Sequence, residues 1–238
     1  MKVAITFIGT NKYLNFLPQY YENIKENFLP NTEKVILVFT DGDGDFPNDV
    51  QYFNQEHLDW PYITLKRFEI INKARSVIED CDWLVFIDAD ALVVDKVTEE
   101  EFFQDKPFFG VHHPCHALGM QPHTTVPGAY DQNKLSEAYV DLSDGLPPVY
   151  WQGCFWGGKV PNVCAMIDEL EARVNRDLEK NVVALWHDES QINKYFLERL
   201  DMVHTYGPEY AFPEVFKDYC QFSPKIVHLA KDNSSYQT

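Results

Sequence analysis

The run Trp83-Leu84-Val85-Phe86-Ile87-Asp88-Ala89-Asp90 decides the fold. Its apolar residues read as a strand buried on both faces. The two carboxylates that follow stand at the C-terminal end of that strand, where open α/β sheets keep their ligand crevice. Asp88 and Asp90 repel each other unless a cation lies between them. Hard oxygen ligands suit Mn²⁺, with Mg²⁺ as the second choice, and such ions usually complete their shell with water and substrate phosphates. The plainer reading is an acidic strand-to-turn junction, and the tripeptide alone leaves both open.

Outward from this run, strand-like segments recur at 2–8, 34–40 and 107–112, and again at 149–156, 202–206 and 225–229. Helical periods lie between them. Leu17, Tyr20, Tyr21, Ile24 and Phe28 share one face, and Val163, Met166, Ile167, Leu170, Val174 and Leu178 share another behind Asn162 as cap. A third helix is expected over 190–200, with Ile192, Tyr195, Phe196 and Leu200 aligned. The early β, α, β order predicts an α/β fold with a parallel sheet wound like a nucleotide-binding half-domain. The segment 111–148 is richer in Pro, Gly, His and Asp and reads as a long loop region, a type that is commonly functional or disordered. The acidic run from Asp41 to Asp45 fails the calcium-loop test, because Phe46 and Tyr52 stand where glycine and a bidentate glutamate are required. It is expected to be a solvated turn.

At 238 residues, 45% of them hydrophobic, the chain is long enough for one large α/β domain with a substantial core. The apolar N-terminal stretch soon meets Asn11 and Lys12, too short to span a bilayer and without a small-residue cleavage site, so it reads as the first strand. The formal net charge of −17 argues against nucleic-acid or anionic-membrane partners. It leaves room for an anionic small molecule, since charges are screened over about 8 Å at physiological ionic strength. Cys81, Cys115, Cys154, Cys164 and Cys220 are odd in number and show no C-x-x-C spacing, which predicts reduced thiols and a cytoplasmic setting without a membrane anchor.

Three other segments carry candidate chemistry. Trp186-His187-Asp188-Glu189-Ser190 opens a helix, where unpaired N–H groups favour acids. Asp188 or Ser190 as a plain N-cap explains part of this. The density of Trp, His, Asp and Glu exceeds what capping needs: Trp stacks on sugar faces, and carboxylates accept hydroxyl hydrogen bonds or stabilise an oxocarbenium-like centre. Tyr150-Trp151-Gln152-Gly153-Cys154-Phe155-Trp156-Gly157-Gly158 ends in a glycine pair that admits close approach of backbone or ligand. Arg67 offers a planar fork that matches diphosphate oxygens, although most single arginines are solvated. His112, His113 and His116 cluster near a strand end, but a zinc site needs acids or thiols at a spacing the sequence does not establish.

In order, Phe7-Ile8-Gly9-Thr10-Asn11-Lys12-Tyr13, Lys66-Arg67-Phe68-Glu69, Asp88-Ala89-Asp90, His113-Pro114, Phe155-Trp156-Gly157-Gly158, the stretch 186–195 and Pro208-Glu209-Tyr210 resemble family 6 glycosyltransferases. This is the family of the blood-group A and B transferases, α-1,3-galactosyltransferase and their short bacterial relatives. The resemblance runs from about Ile5 to Lys231, and 186–195 is its most specific part.

The resemblance implies a single GT-A domain over 1–238, with a Rossmann-like half at 1–110 mainly for UDP and metal, and 111–238 mainly for acceptor and catalysis on a mixed central sheet. It implies a retaining, metal-dependent transfer of galactose or N-acetylgalactosamine from UDP to a hydroxyl of a galactoside or oligosaccharide acceptor, forming an α-1,3 linkage. On this reading Ile8, Gly9 and Tyr13 hold the uridine. Asp88, Ala89 and Asp90 form the DxD motif for Mn²⁺ and diphosphate. Arg67, Asp188 and Lys231 meet the donor sugar or its phosphates, and Gln152, Gly153 and Cys154 border the sugar. His113 and Trp186 face the acceptor, and Glu189 matches the catalytic glutamate. Gln152 and Cys154, not the smallest residues for those positions, favour galactose. The chain departs from the pattern in four places: it has no Golgi anchor, it keeps both aspartates that most bacterial relatives replace by asparagine, Gln237 stands for a tail arginine, and Pro213 followed by Glu214 stands for the acceptor-side acid. Two competing readings are a non-catalytic sugar-nucleotide or carbohydrate-binding module, which has no need of Glu189, and a DxD phosphohydrolase, which Leu92 and the late position of Asp88 disfavour.

Overall fold

The computed structural model describes residues 1–42, 46–47, 49–121, 123 and 128–231. Its strands are β1 (Lys2–Ile8), β2 (Glu33–Thr40), β3 (Val50–Asn54), β4 (Trp83–Ile87), β5 (Ala91–Val93), β6 (Phe108–His112), β7 (Trp151–Lys159), β8 (Val203–Tyr206), β9 (Phe212–Pro213) and β10 (Ile226–His228). Its helices are α1 (Leu17–Asn27), α2 (Tyr62–Leu65), α3 (Arg67–Asn72), α4 (Arg75–Glu79), α5 (Glu99–Phe102), α6 (Pro114–Ala117), α7 (Val160–Glu179) and α8 (His187–Leu197). The main sheet has the order β3-β2-β1-β4-β7-β6-β8, and a small second sheet has the order β5-β10-β9. The expected parallel winding holds for β3, β2, β1 and β4. Beyond β4 the sheet is mixed, because β7 runs antiparallel to both β4 and β6.

Successive residues of the central strands point to opposite faces, and the sequence supplies apolar side chains to both. Val3, Ile5, Phe7, Val85 and Ile87 pack on one side with Leu17, Tyr20 and Ile24 of α1. Ala4, Leu84 and Phe86 pack on the other with α3, α7 and α8, where Trp156 stacks on Phe86 at 5.2 Å between ring centroids. The Gly157-Gly158 pair serves the sheet itself. A Cβ on Gly157 would lie 2.1 Å from the Leu84 carbonyl oxygen and one on Gly158 2.3 Å from that of Pro107, so backbone, not ligand, makes the close approach.

Three boundary expectations are corrected. Helix α7 begins at Val160 with a proline in its first turn, so Asn162 lies inside the helix rather than capping it; proline is tolerated there because its missing N–H has no helical partner to lose. Helix α8 begins at His187 and ends at Leu197, three residues earlier at each end than expected, and Asp188 and Glu189 occupy its first turn, where the helix dipole favours acids. Neither Asp188 nor Ser190 is the N-cap; Trp186 holds that position, and its N–H donates to Ser190 Oγ at 2.9 Å. The strands β3, β5 and β9 and the short helices α2 to α4 had no readable period.

Beyond the last two residues of β6, the segment 111–148 contains only α6 as regular structure among its described residues, yet it is fastened. Ala129, Tyr130, Val140, Leu142 and Tyr150 form a third apolar cluster. Buried Asp177 of α7 accepts from Ser136 Oγ at 3.1 Å, Glu137 N at 2.8 Å and Gln191 Nε2 at 2.9 Å, tying this segment to both α7 and α8.

Candidate active site

The acidic strand end is built by non-local pairing. Asp88 N–H donates to Cys154 O of β7 at 3.0 Å, and the turn Asp88 to Ala91 returns the chain into β5. Strand β10 pairs antiparallel with β5, placing His228 opposite Ala91. Asp90 thereby meets an ammonium and an imidazole: it is ion-paired with Lys231, and His228 Nδ1 lies 3.5 Å from its Oδ1. Burial pushes the Asp90 carboxyl up, but His228 and Lys231 overcome it and hold the group well below the usual carboxylate range. Burial raises Asp88, aided by the charge of Asp90 and opposed by Arg67.

A cavity of about 370 Å³ opens over this edge. Ile8, Tyr13, Arg67, Asp88, Ala89, Asp90 and Lys231, all singled out in the sequence, line it. Lys231 Nζ also sits 4.6 Å above the Tyr13 ring. Gly9 lies beside the cavity instead, its N–H bound to Phe39 O at 3.0 Å. The opposite wall, which the sequence did not mark, includes Trp60 and His57, whose Nδ1 is 2.9 Å from Thr10 Oγ1.

Arg67 is 8% exposed and is the hub of the site. Its guanidinium stacks over Phe86 at 4.2 Å, donates to Asp88 Oδ1 at 3.1 Å and to Gly153 O at 2.9 Å, and is ion-paired with Asp188. One cation therefore joins the DxD turn, strand β7 and the first turn of α8. Burial pushes Asp188 up to about 7 against the pull of Arg67.

Glu189 is held by two donors. Tyr150 Oη donates to Oε1 at 2.8 Å, and Gly153 N–H donates to Oε2 at 2.7 Å. A Cβ on Gly153 would fall 2.9 Å from Glu189 Cβ, so only glycine lets β7 and α8 approach this closely. Asn193, one helical turn further on, accepts from Trp151 N and donates to Trp151 O and Glu189 O at 2.8, 2.7 and 2.9 Å. Burial pushes Glu189 up to about 7, opposed by the two hydrogen bonds. Cys154 is buried beside the aspartates and its thiol is pushed well up by burial, while Gln152 carries a buried Oε1 without a protein partner among the described residues.

Trp186 and His113, the residues expected to face an acceptor, are not among those that line the cavity. Trp186 is 43% exposed at the start of α8, next to His187, which packs edge-on to Trp60 at 4.9 Å. His113 N–H donates to Tyr150 O at 2.8 Å, and its Nδ1 accepts from Cys115 N at 3.1 Å to cap α6. Burial drives His113 down to about 3, so it is neutral. Cys115 and His123 complete a group with His113 whose ligand atoms lie within 4.8 Å of one another, which sequence spacing concealed. The His113 and His123 rings are stacked at 4.1 Å and 24°, and near-parallel rings do not converge on a tetrahedral zinc.

The family model described as Glycosyltransferase family 6 matches residues 1–236. The chain belongs to glycosyltransferase family 6. It is 28% identical over 240 residues to the O-antigen biosynthesis glycosyltransferase WbnI of Escherichia coli, covering 99% of this chain and 97% of that one. It is 25% identical over 238 residues to histo-blood group ABO system transferase 2 of Rattus norvegicus, covering 96% of this chain and 68% of that one. It is 25% identical over 234 residues to globoside alpha-1,3-N-acetylgalactosaminyltransferase 1 of Gallus gallus, covering 91% and 65%. The chain thus spans about two thirds of the length of these two animal relatives.

As a family 6 member the protein is a hexosyltransferase with a GT-A-type mixed α/β fold, and it takes a sugar-nucleotide donor and a glycan acceptor. No helix among its described residues is long and apolar enough to cross a membrane. The structure adds three residues that sequence reasoning did not assign to this family 6 site. Tyr150 enters the sequence reading only as the first residue of the 150–158 segment, and Asn193 only as part of the most specific stretch. His228 reaches Asp90 across 138 positions of sequence, for which no local pattern exists. Asp43, Gly44, Asp45 and Gln237 lie outside the described residues. Glu214 accepts from Ala230 N at 2.8 Å, next to Lys231.

Proposed function

We propose that the protein is a retaining, divalent-metal-dependent transferase that moves galactose from UDP-galactose, in preference to N-acetylgalactosamine from its UDP conjugate, to a hydroxyl of a galactoside, forming an α-1,3 linkage. The observation that carries this reading is the continuous line from Asp88 through Arg67 to Asp188 and Glu189. A binding module has no use for a carboxylate fixed by both Tyr150 and Gly153 at one end of such a line.

The residues present fit a hard divalent cation. Asp88 and Asp90 offer oxygen donors to one cavity, and together with Asp188 and Glu189 they outnumber the neighbouring cations Arg67 and Lys231 by two. Bound there, Mn²⁺, or Mg²⁺ in its place, would hold the donor diphosphate and offset charge on departing UDP. Ile8 and Tyr13 form the uridine wall, with Gly9 beside it. Arg67 and Lys231 neutralise the leaving diphosphate, an electrostatic role whose removal typically costs about 10² to 10³ in rate. Gln152, Gly153, Cys154 and Asp188 border the sugar, and the bulk of Gln152 and Cys154 favours galactose. Glu189 acts at the anomeric carbon, either as the nucleophile of a covalent glycosyl intermediate or as the partner of a front-face ion pair. Trp186 and His113 receive the acceptor. The two halves, 1–110 and 111–238, work as one domain, and the five free thiols support a cytoplasmic setting.

The test is a donor panel with fucosylated and unfucosylated galactosides, run with Mn²⁺ and with excess chelator. UDP-galactose turnover that is lost in chelator is the expected result. A preference for UDP-N-acetylgalactosamine overturns the size argument at Gln152 and Cys154, and full activity in chelator overturns the metal.

A further inference from the structure

His228 has no role in the reading above, yet its imidazole lies against the DxD turn. Its ring is 9% exposed, and its Nε2 is buried without a hydrogen-bond partner among the described residues. A ligand atom of His228, a carboxylate oxygen of Asp88 and Sγ of Cys154 lie within 4.8 Å of one another. Its Nδ1 faces Asp90 Oδ1 at 3.5 Å. With the proton on Nδ1, directed at the Asp90 carboxylate, Nε2 carries a bare lone pair. This is the tautomer a metal-ligating histidine adopts when a carboxylate orients its other nitrogen. A buried polar nitrogen with no partner is unfavourable unless something else satisfies it.

Backbone pairing holds the ring in place. His228 is opposite Ala91 in the β5–β10 ladder, and Leu229 N–H donates to Asp90 O at 3.0 Å, so the DxD turn and the histidine move as one unit. Cys154, the other member of the group, is a softer ligand whose thiol burial keeps protonated, which suits it less to a hard ion.

We propose that His228 is a third protein ligand of the divalent cation held by Asp88 and Asp90, supplying one imidazole nitrogen to an otherwise oxygen-ligated ion. This rests on the metal-dependent reading of the site. An imidazole nitrogen suits Mn²⁺ better than Mg²⁺, which prefers an all-oxygen shell. His228 therefore sets the preference between the two.

The test uses the full chain with Mn²⁺ and UDP, without turnover. Electron spin-echo spectroscopy of bound Mn²⁺ is expected to show ¹⁴N coupling from a directly ligated imidazole, which shifts to the ¹⁵N pattern when histidine is ¹⁵N-labelled. In His228→Leu that coupling should vanish, Mn²⁺ affinity measured by loss of the free-ion signal should fall about 10- to 100-fold, and Mg²⁺ affinity should change far less. Mn²⁺ that binds the wild-type protein in an Asp88-dependent way without ¹⁴N coupling overturns the role of His228 and leaves the metal site standing. Coupling that persists in His228→Leu also overturns it. Failure of the wild type to bind Mn²⁺ with UDP overturns the metal reading and this inference together.

Discussion

Replacing Tyr150 by phenylalanine removes one hydroxyl and leaves the ring that packs against Tyr130 and His123 at 5.1 and 4.8 Å. The hydroxyl donates to Glu189 Oε1 at 2.8 Å and stays protonated, because burial pushes Tyr150 far above the usual phenol range. A hydrogen bond to a charged acceptor is worth about 1.5 to 3 kcal/mol. It stabilises only the ionised carboxylate, so its loss raises the Glu189 pKa; at 1.36 kcal/mol per unit, about 7 becomes about 8 to 9. The ionised fraction at pH 7 then falls from about one half to between about one tenth and one hundredth. The assay is kcat against pH at saturating donor and acceptor, followed by UDP release. The acid limb of the Tyr150→Phe profile should move to higher pH by one to two units on this arithmetic, about as far as the pKa itself, with KM for the donor little changed. An acid limb that stays in place while the variant remains folded refutes the view that Tyr150 tunes Glu189.

Gly153→Ala places a methyl group 2.9 Å from Glu189 Cβ and pushes the first turn of α8 from β7; kcat should fall about 10- to 100-fold with a small change in melting temperature, and an unchanged kcat counts against Gly153 as the spacer. Glu189→Gln should abolish most turnover while UDP affinity, measured by calorimetry, stays near wild type. The same variant should be more stable than wild type above neutrality. Burial raises the Glu189 pKa from 4.5 to about 7, so wild-type stability is full below the unfolded value and is lost as pH rises towards 7; the gain of the glutamine variant should grow from pH 5 to 7 and then level at about 1 to 3 kcal/mol. Arg67→Met strands Asp88 and Asp188 without their cation and should cost about 3 to 5 kcal/mol in urea unfolding, and a loss under about 1 kcal/mol contradicts its place as hub.

The sequence exposed the parts of this site that obey a local rule. An apolar run ending in two acids marked β4 and the DxD turn, because burial on both faces forces a continuous hydrophobic strand. The concentration of acids and aromatics at 186–190 marked the start of α8, where the helix dipole accepts them. What stayed hidden depends on pairing between distant segments. Tyr150 looks like any core aromatic until the 111–148 segment, clamped by Asp177, turns its hydroxyl towards Glu189. The glycine pair at 157–158 was compatible with ligand or backbone, and only the register of β4 with β7 decides for backbone. His228 gains meaning from the ladder between β5 and β10; the run 225–229 marks the second strand, but β5 is too short to show a period and nothing local says that the two pair.

The charges explain why these distant pieces had to be brought together. Asp88, Asp90, Asp188 and Glu189 bring four negative charges when ionised, and Arg67 and Lys231 bring two positive ones within contact of three of them. The surplus equals the charge of one divalent cation. Burial, joined by repulsion from Asp88 and Asp188, is what lifts Asp188 and Glu189 to about 7. A divalent ion held by Asp88 and Asp90 would offset part of that repulsion and leave more of the Arg67 charge to Asp188. On the proposed reading, binding of such an ion and ionisation of Glu189 would be coupled, and linkage makes the coupling reciprocal: the ion that would hold the donor also favours the charged form of the carboxylate at its anomeric carbon.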